Sequence, residues 1–133
     1  MANKKIPNIG VHHLALFVSD FDKSIKFYTE GLGFETVAEW GEGTGRAAML
    51  DIGNGSHFEV FASGSPNEEK DAKFGHFAFA TSNPDIAYEN ALAAGAVSHM
   101  KPQDVIGVIP GMSVRIAFVK GFDGELLEFF KVL

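Results

Sequence analysis

No cysteine occurs among the 133 residues. Disulfides, thiolate nucleophiles and cysteine-based zinc sites are therefore excluded, and any metal must be held by histidine, aspartate or glutamate. Positive charge is also scarce. The 11 Lys and Arg stand against 17 Asp and Glu, a formal net charge of −6. A chain of that sign is a poor non-specific binder of nucleic acid. No apolar run approaches the ~18 residues of a membrane span. The opening stretch, MANKKIPNIG, has two lysines but lacks the apolar core of a signal peptide. The expectation is a cytoplasmic protein whose partner is a small molecule, with no nucleic acid and no membrane. Low-complexity tracts are missing too. The stretch that reads as a linker is SGSPNEEKDAKFG, residues 63–75, polar and rich in turn formers.

What is present is a duplication. Shifted by 63 residues, HLALFVSDFD (13–22) falls on HFAFATSNPD (76–85) and aligns His13 with His76, Ala15 with Ala78 and Asp22 with Asp85. Shifted by 69, RAAMLDIGNGSHFEVF (46–61) falls on RIAFVKGFDGELLEFF (115–130). That shift aligns Arg46 with Arg115, Glu59 with Glu128 and Phe61 with Phe130. The expected organisation is a single domain over 1–133, with one module at about 8–62, a second at about 74–133 and a linker at 63–73.

Each half has the same plan. VHHLALFV (11–18) is β-branched and apolar, so it reads as a strand. Ser19 or Asp20 can cap a helix over 21–31, ended by Gly31 or Gly33, with Phe21, Ile25, Tyr28 and Leu32 on its apolar face. Strands are expected at 34–40, 45–52 and 56–62, with a turn at Gly53-Asn54-Gly55. In the second half 75–81 reads as a strand. Asn83 caps a helix that begins at Pro84, has Ile86, Ala87, Ala91 and Leu92 inward, and stops at Gly95. Strands follow at 97–101, 112–119 and 125–132, with a turn at Asp123-Gly124. The apolar loop DVIGVIPGM (104–112) is either a substrate flap or one edge of a dimer contact. The fold class is α+β: two βαβββ modules whose sheets pair into a half-open, curved mixed sheet with helices outside.

Alternation along strands sorts the polar residues. His13, Ala15 and Phe17 share one face, and His76, Ala78 and Ala80 share the corresponding one. Glu59 lies with His57 and Phe61, and Glu128 with Leu126 and Phe130. A carboxylate between Leu126, Leu127, Phe129 and Phe130 needs compensation, because an isolated buried charge costs several kcal/mol. Repeat symmetry directs two histidines and two glutamates toward a pseudo-two-fold axis, where they form a ligand set for one divalent ion. The alternative is a pair of buried His–Glu ion pairs without metal. Arg46 and Arg115 either clamp an anionic substrate or serve as edge-strand charges. His57 either backs Glu59 or faces water, and His99 is expected at the surface.

At these residues the sequence resembles the vicinal oxygen chelate superfamily, also called the glyoxalase/bleomycin resistance/dioxygenase superfamily. HHLALFVSDFDKSIKFYTEGLGF resembles its first-module signature, and FGHFAFATSNPD and DGELLEFF resemble its second-module signatures. The resemblance spans essentially the whole chain. It implies paired βαβββ modules and the metal ligands His13, Glu59, His76 and Glu128. Glu59 at the second position resembles glyoxalase I-like (lactoylglutathione lyase-like) enzymes. Epimerases of methylmalonyl-CoA typically have Gln there. Glyoxalase I usually has Arg four residues after the first ligand and Asn four residues after the second; here these are Phe17 and Ser63. Both departures count against glutathione.

The resemblance implies a metal-dependent lyase or isomerase acting on a small vicinal-oxygen substrate. One divalent ion per site (Ni, Co, Zn, Mn or Fe) stabilises an enediolate. Glu128, or Glu59 on the opposite face, takes the proton. Phe17, Phe61 and Phe130 are expected to line the substrate, with Arg46 and Arg115. A homodimer is the expected assembly. The alternatives are an extradiol-type Fe(II) dioxygenase using His13, His76 and Glu128, and a non-catalytic drug- or metabolite-binding protein.

Overall fold

The structure is a computed structural model and describes residues 2–31, 33–53, 55–63, 73–122 and 124–133. The expectations placed on Leu32, Asn54, most of the linker and Asp123 lie outside the described residues. The first module consists of β1 (Gly10–Phe17), α1 (Phe21–Lys26), β2 (Glu35–Trp40), β3 (Ala47–Gly53) and β4 (Ser56–Phe61). The second consists of β5 (Lys73–Ala80), α2 (Pro84–Ala93), β6 (Val97–Ile109), β7 (Met112–Lys120) and β8 (Leu126–Val132). The expected βαβββ order is present twice.

Both modules use one strand order. In the first it is β2-β3-β4-β1, with β1 parallel to β4 and the other pairs antiparallel. In the second it is β6-β7-β8-β5, with β5 parallel to β8. A parallel pair needs a crossover, and the helix and the intervening strands supply it. By packing, residues 13–75 form one compact unit, and residues 1–12 join 76–133 in the other. In that second unit the Thr81 hydroxyl donates to the Pro7 carbonyl at 2.7 Å, and the Asn90 amide donates to the Lys5 carbonyl at 2.7 Å.

Each helix covers one face of its own sheet. Leu16, Val18, Leu50 and Val60 pack with Phe21, Ile25 and Tyr28 of the α1 segment. Ala117, Val119 and Phe129 pack with Ala87 and Tyr88 of α2. Asp20 caps α1 by accepting from the Lys23 N–H at 3.1 Å, and Asn83 caps α2 by accepting from the Ile86 N–H at 3.0 Å. Gly95, at φ +108°, ends α2 in a conformation that a side chain would strain.

Three expectations need correction. The first helix is regular only to Lys26 and continues as a π-helical turn over Phe27–Gly31. Ile86 is exposed, and Tyr88 takes the inward position beside Ala87. Residues 104–112 are not a loop. They are the end of β6 and a tight turn into β7, so the hairpin reaches far beyond residue 101. Among the described residues no helix is long and apolar enough to cross a membrane.

Candidate functional site

The chemistry of the first module lies on the sheet face opposite α1. In the parallel β1–β4 register, Ala15 stands directly beside Glu59, with His13 two residues earlier on the same face. A methyl group at position 15 leaves the glutamate room to reach the imidazole. His13 Nε2 and Glu59 Oε1 are 3.5 Å apart, and both side chains are buried, at 1% and 7% exposure. On the other side of Glu59 the antiparallel register places Met49, which is fully buried.

The second module repeats this arrangement. Ala78 stands beside Glu128 in the β5–β8 register, and His76 lies two residues before Ala78. His76 Nε2 and Glu128 Oε2 are 3.0 Å apart, at 11% and 6% exposure. Across from Glu128 stands Phe118. Its ring meets the His76 imidazole edge-on, with centroids 5.4 Å apart and planes at 86°. Met49 and Phe118 are also equivalent by the 69-residue shift, and each stands ten residues ahead of its glutamate. Neither was singled out from sequence, because a large apolar residue on a central strand reads as core. The repeat itself was the available signal, since it pairs the two positions.

The remaining expected residues divide between the two faces. Phe17 and Phe61 meet in the first module, with ring centroids 5.6 Å apart and planes tilted at 50°. A Cβ at Gly75 would come within 2.8 Å of the Phe17 ring, which would have to shift to admit it. In the unit that joins 1–12 to 76–133, the His12 ring lies 4.2 Å from that of Phe130. His57 is half-buried opposite His13 in the β1–β4 register. His99 is exposed, with its ring 6.2 Å from that of Phe118.

Arg46 and Arg115 are held elsewhere, by their own carboxylates. Arg46 Nη2 donates to Asp22 at 3.1 Å, and its guanidinium sits 4.3 Å above the Phe21 ring. Arg115 donates to both Asp85 oxygens, at 2.6 and 2.7 Å, and to Asp104 at 2.9 Å. Asp22 and Asp85 are themselves equivalent in the repeat. Each module therefore fastens an arginine to the first turn of its helix, Arg46 from just before β3 and Arg115 from within β7. Arg115 alternates with Ile116 and shares the helix-covered face of β7 with Ala117 and Val119. That is the face opposite Glu128, which registers with Phe118.

This fastening has a pH signature. The Arg115 hydrogen bonds hold the Asp85 carboxyl below its ordinary value of 3.8, and Asp85 and Asp104 in turn raise the pKa of Arg115. A carboxyl depressed in the folded state adds stability that is fully present above pH 3.8 and fades as pH falls below it. Urea midpoints measured across that range should fall more steeply for the native chain than for Asp85→Asn. Equal slopes would remove the assignment.

Each module thus buries one imidazole nitrogen against one carboxylate oxygen. Nitrogen and oxygen donors without thiolate fit first-row divalent ions. The model of the Glyoxalase/Bleomycin resistance protein/Dioxygenase superfamily matches residues 10–129. The chain belongs to this superfamily. Among superfamily relatives, the probable lactoylglutathione lyase of Vibrio cholerae serotype O1 is 32% identical over 127 residues, covering 91% of this chain and 89% of the relative. Methylmalonyl-CoA epimerase from Mycobacterium tuberculosis superposes with a TM-score of 0.76 at 19% identity, covering 98% of this chain and 92% of that one. A variant of 4-hydroxymandelate synthase from Streptomyces coelicolor superposes with a TM-score of 0.73 at 19% identity, covering 96% of this chain and 43% of that one. These superpositions establish the superfamily fold.

Proposed function

We propose that the chain is a metal-dependent lyase or isomerase of the glyoxalase I type, in which His13, Glu59, His76 and Glu128 hold one divalent ion. The observation that carries this reading is the duplicated His–Glu pair of low exposure, on the face of each sheet away from its helix and beside an alanine in each case. One such pair is an ordinary core device. Two at equivalent positions, in a chain with a lyase relative over most of its length, support a shared ligand set. The ion is Ni, Co, Zn, Mn or Fe, all of which accept this donor set.

When bound, the ion supplies Lewis acidity that favours the enediolate form of a substrate with two adjacent oxygens. The chain's own part is positioning and proton movement. Glu128, or Glu59 from the other module, takes the proton beside the substrate carbonyl on a carboxylate oxygen. Phe17, Phe61 and Phe130 form apolar walls that exclude water. Arg46 and Arg115 stay with their aspartates. Phe17 and Ser63, where glyoxalase I has Arg and Asn, favour a small substrate other than a glutathione adduct. The proposed working assembly is a homodimer, which sedimentation measures.

Metal analysis of the purified protein tests the reading. The expected result is about one divalent ion per chain, lost in His76→Ala, with isomerisation of methylglyoxal in the presence of at least one thiol. A metal-free protein indifferent to His76→Ala would leave the non-catalytic binding reading in its place. An iron-loaded protein that cleaves catechols would indicate the dioxygenase, a reading that leaves the buried Glu59 without a role.

A further inference from the structure

We propose that the first module selects a substrate with an uncharged aromatic or branched apolar group beside its two oxygens, and that Trp40 and Phe17 set this preference. The proposal rests on the metal-site reading above for the oxygens and concerns what the rest of the substrate touches. Every residue it uses lies within the compact unit of residues 13–75. Strand register sorts the face that carries His13 and Glu59 into transverse rows, since register partners share a face. His13, His57 and Asp51 form one row. Ala15, Glu59 and Met49 form the next. Phe17, Phe61, Ala47 and Trp40 form the third.

The rows run from polar to apolar. The third stands two residues beyond Glu59, about 7 Å along the strands, within reach of a ring or branched group joined to an oxygenated carbon. Ala47 is covered, at 1% exposure, while Trp40, Phe61 and Phe17 are half-buried. What the row offers a ligand is therefore the remaining surface of three rings. Phe17 is seated against Phe61 and against Gly75, so its ring loses little freedom when a ligand meets it. None of the three rows contains Lys or Arg. Arg46 precedes Ala47 but is held on the helix side, by Asp22 and over the Phe21 ring. Asp51 and Glu59 add negative charge to the face itself. A carboxylate or phosphate on the substrate would lose water there without gaining a cation. An uncharged apolar group meets no such penalty.

The test compares benzohydroxamate with acetohydroxamate, which share a two-oxygen head and differ in the group beside it. Both are titrated calorimetrically into the Zn(II)-loaded protein. Benzohydroxamate should bind more tightly by about tenfold or more, the scale on which a site discriminates an added apolar group. It should also change the emission of Trp40, the single tryptophan of the chain. Phe17→Arg and Trp40→Leu should each bring the ratio of the two affinities toward one. A native ratio near one, or a ratio kept in both variants, would overturn the proposal and leave the metal reading standing. If Phe17→Arg does not fold, the ratio in Trp40→Leu decides. If neither hydroxamate binds, the metal reading fails, and the aromatic row is judged in metal-free protein. There benzyl alcohol should shift the NMR signals of the Ala47 methyl and the Trp40 indole, and unshifted signals reject the row.

Discussion

Glu128→Gln should slow turnover by about 10²–10⁴-fold, the usual contribution of a positioned general base. Glutamine matches glutamate in shape and retains a ligand oxygen, but its amide cannot take a proton at neutral pH. The assay should therefore run at saturating divalent ion, so that weakened metal affinity does not pass for lost chemistry. Glu59→Gln under the same conditions should cost roughly tenfold or less. The reversed order would move the base to the first module. Full turnover in both variants would mean that neither carboxylate moves the proton. Both glutamates are almost completely enclosed, so burial does not separate their roles, and only kinetics on the two variants does.

The second large effect concerns stability. In metal-free protein, His76→Ala leaves Glu128 enclosed without its imidazole partner. Breaking a buried pair from one side typically destabilises by about 3–5 kcal/mol. Replacing both members with apolar residues, as in His76→Phe with Glu128→Leu, should be neutral or stabilising by about 1–4 kcal/mol. Urea unfolding with a chelator present measures both. A double variant less stable than His76→Ala would show that the pair is kept for the fold. The expected order shows that it is kept at some expense to the fold, which is the usual mark of a functional group in a core.

Much of this fold is legible in the sequence because the chain states it twice. The same-face placement of His13, Ala15 and Phe17, and of Glu59 and Phe61, follows from strand alternation and agrees with the β1–β4 register. The helix caps at Asp20 and Asn83 follow from local chemistry that needs no tertiary context. What escapes the sequence depends on position in the sheet. The β6 strand carries Pro102 and Gly107, both poor strand residues, and its register with β7 shifts three times. At the end of the strand order it needs fewer hydrogen bonds, so such residues are tolerated there. Ile86 is expected inward with Ala87, Ala91 and Leu92, yet it is exposed. The inner face of α2 is set instead by Ala87 and Tyr88, and the Tyr88 hydroxyl donates to Ser98 at 2.6 Å. Nothing local announced that residues 1–12 pack with 76–133, because Ile6 and Ile9 look like any apolar residues near a terminus.

That amino-terminal arm gives the chain an interlaced order. Its first residues belong by packing to the half that is synthesised later. They therefore wait for the Thr81 hydroxyl and the Asn90 amide to emerge before their carbonyls find those partners. A chain cut between the modules would yield two fragments, the first carrying a stitch that only the second can receive.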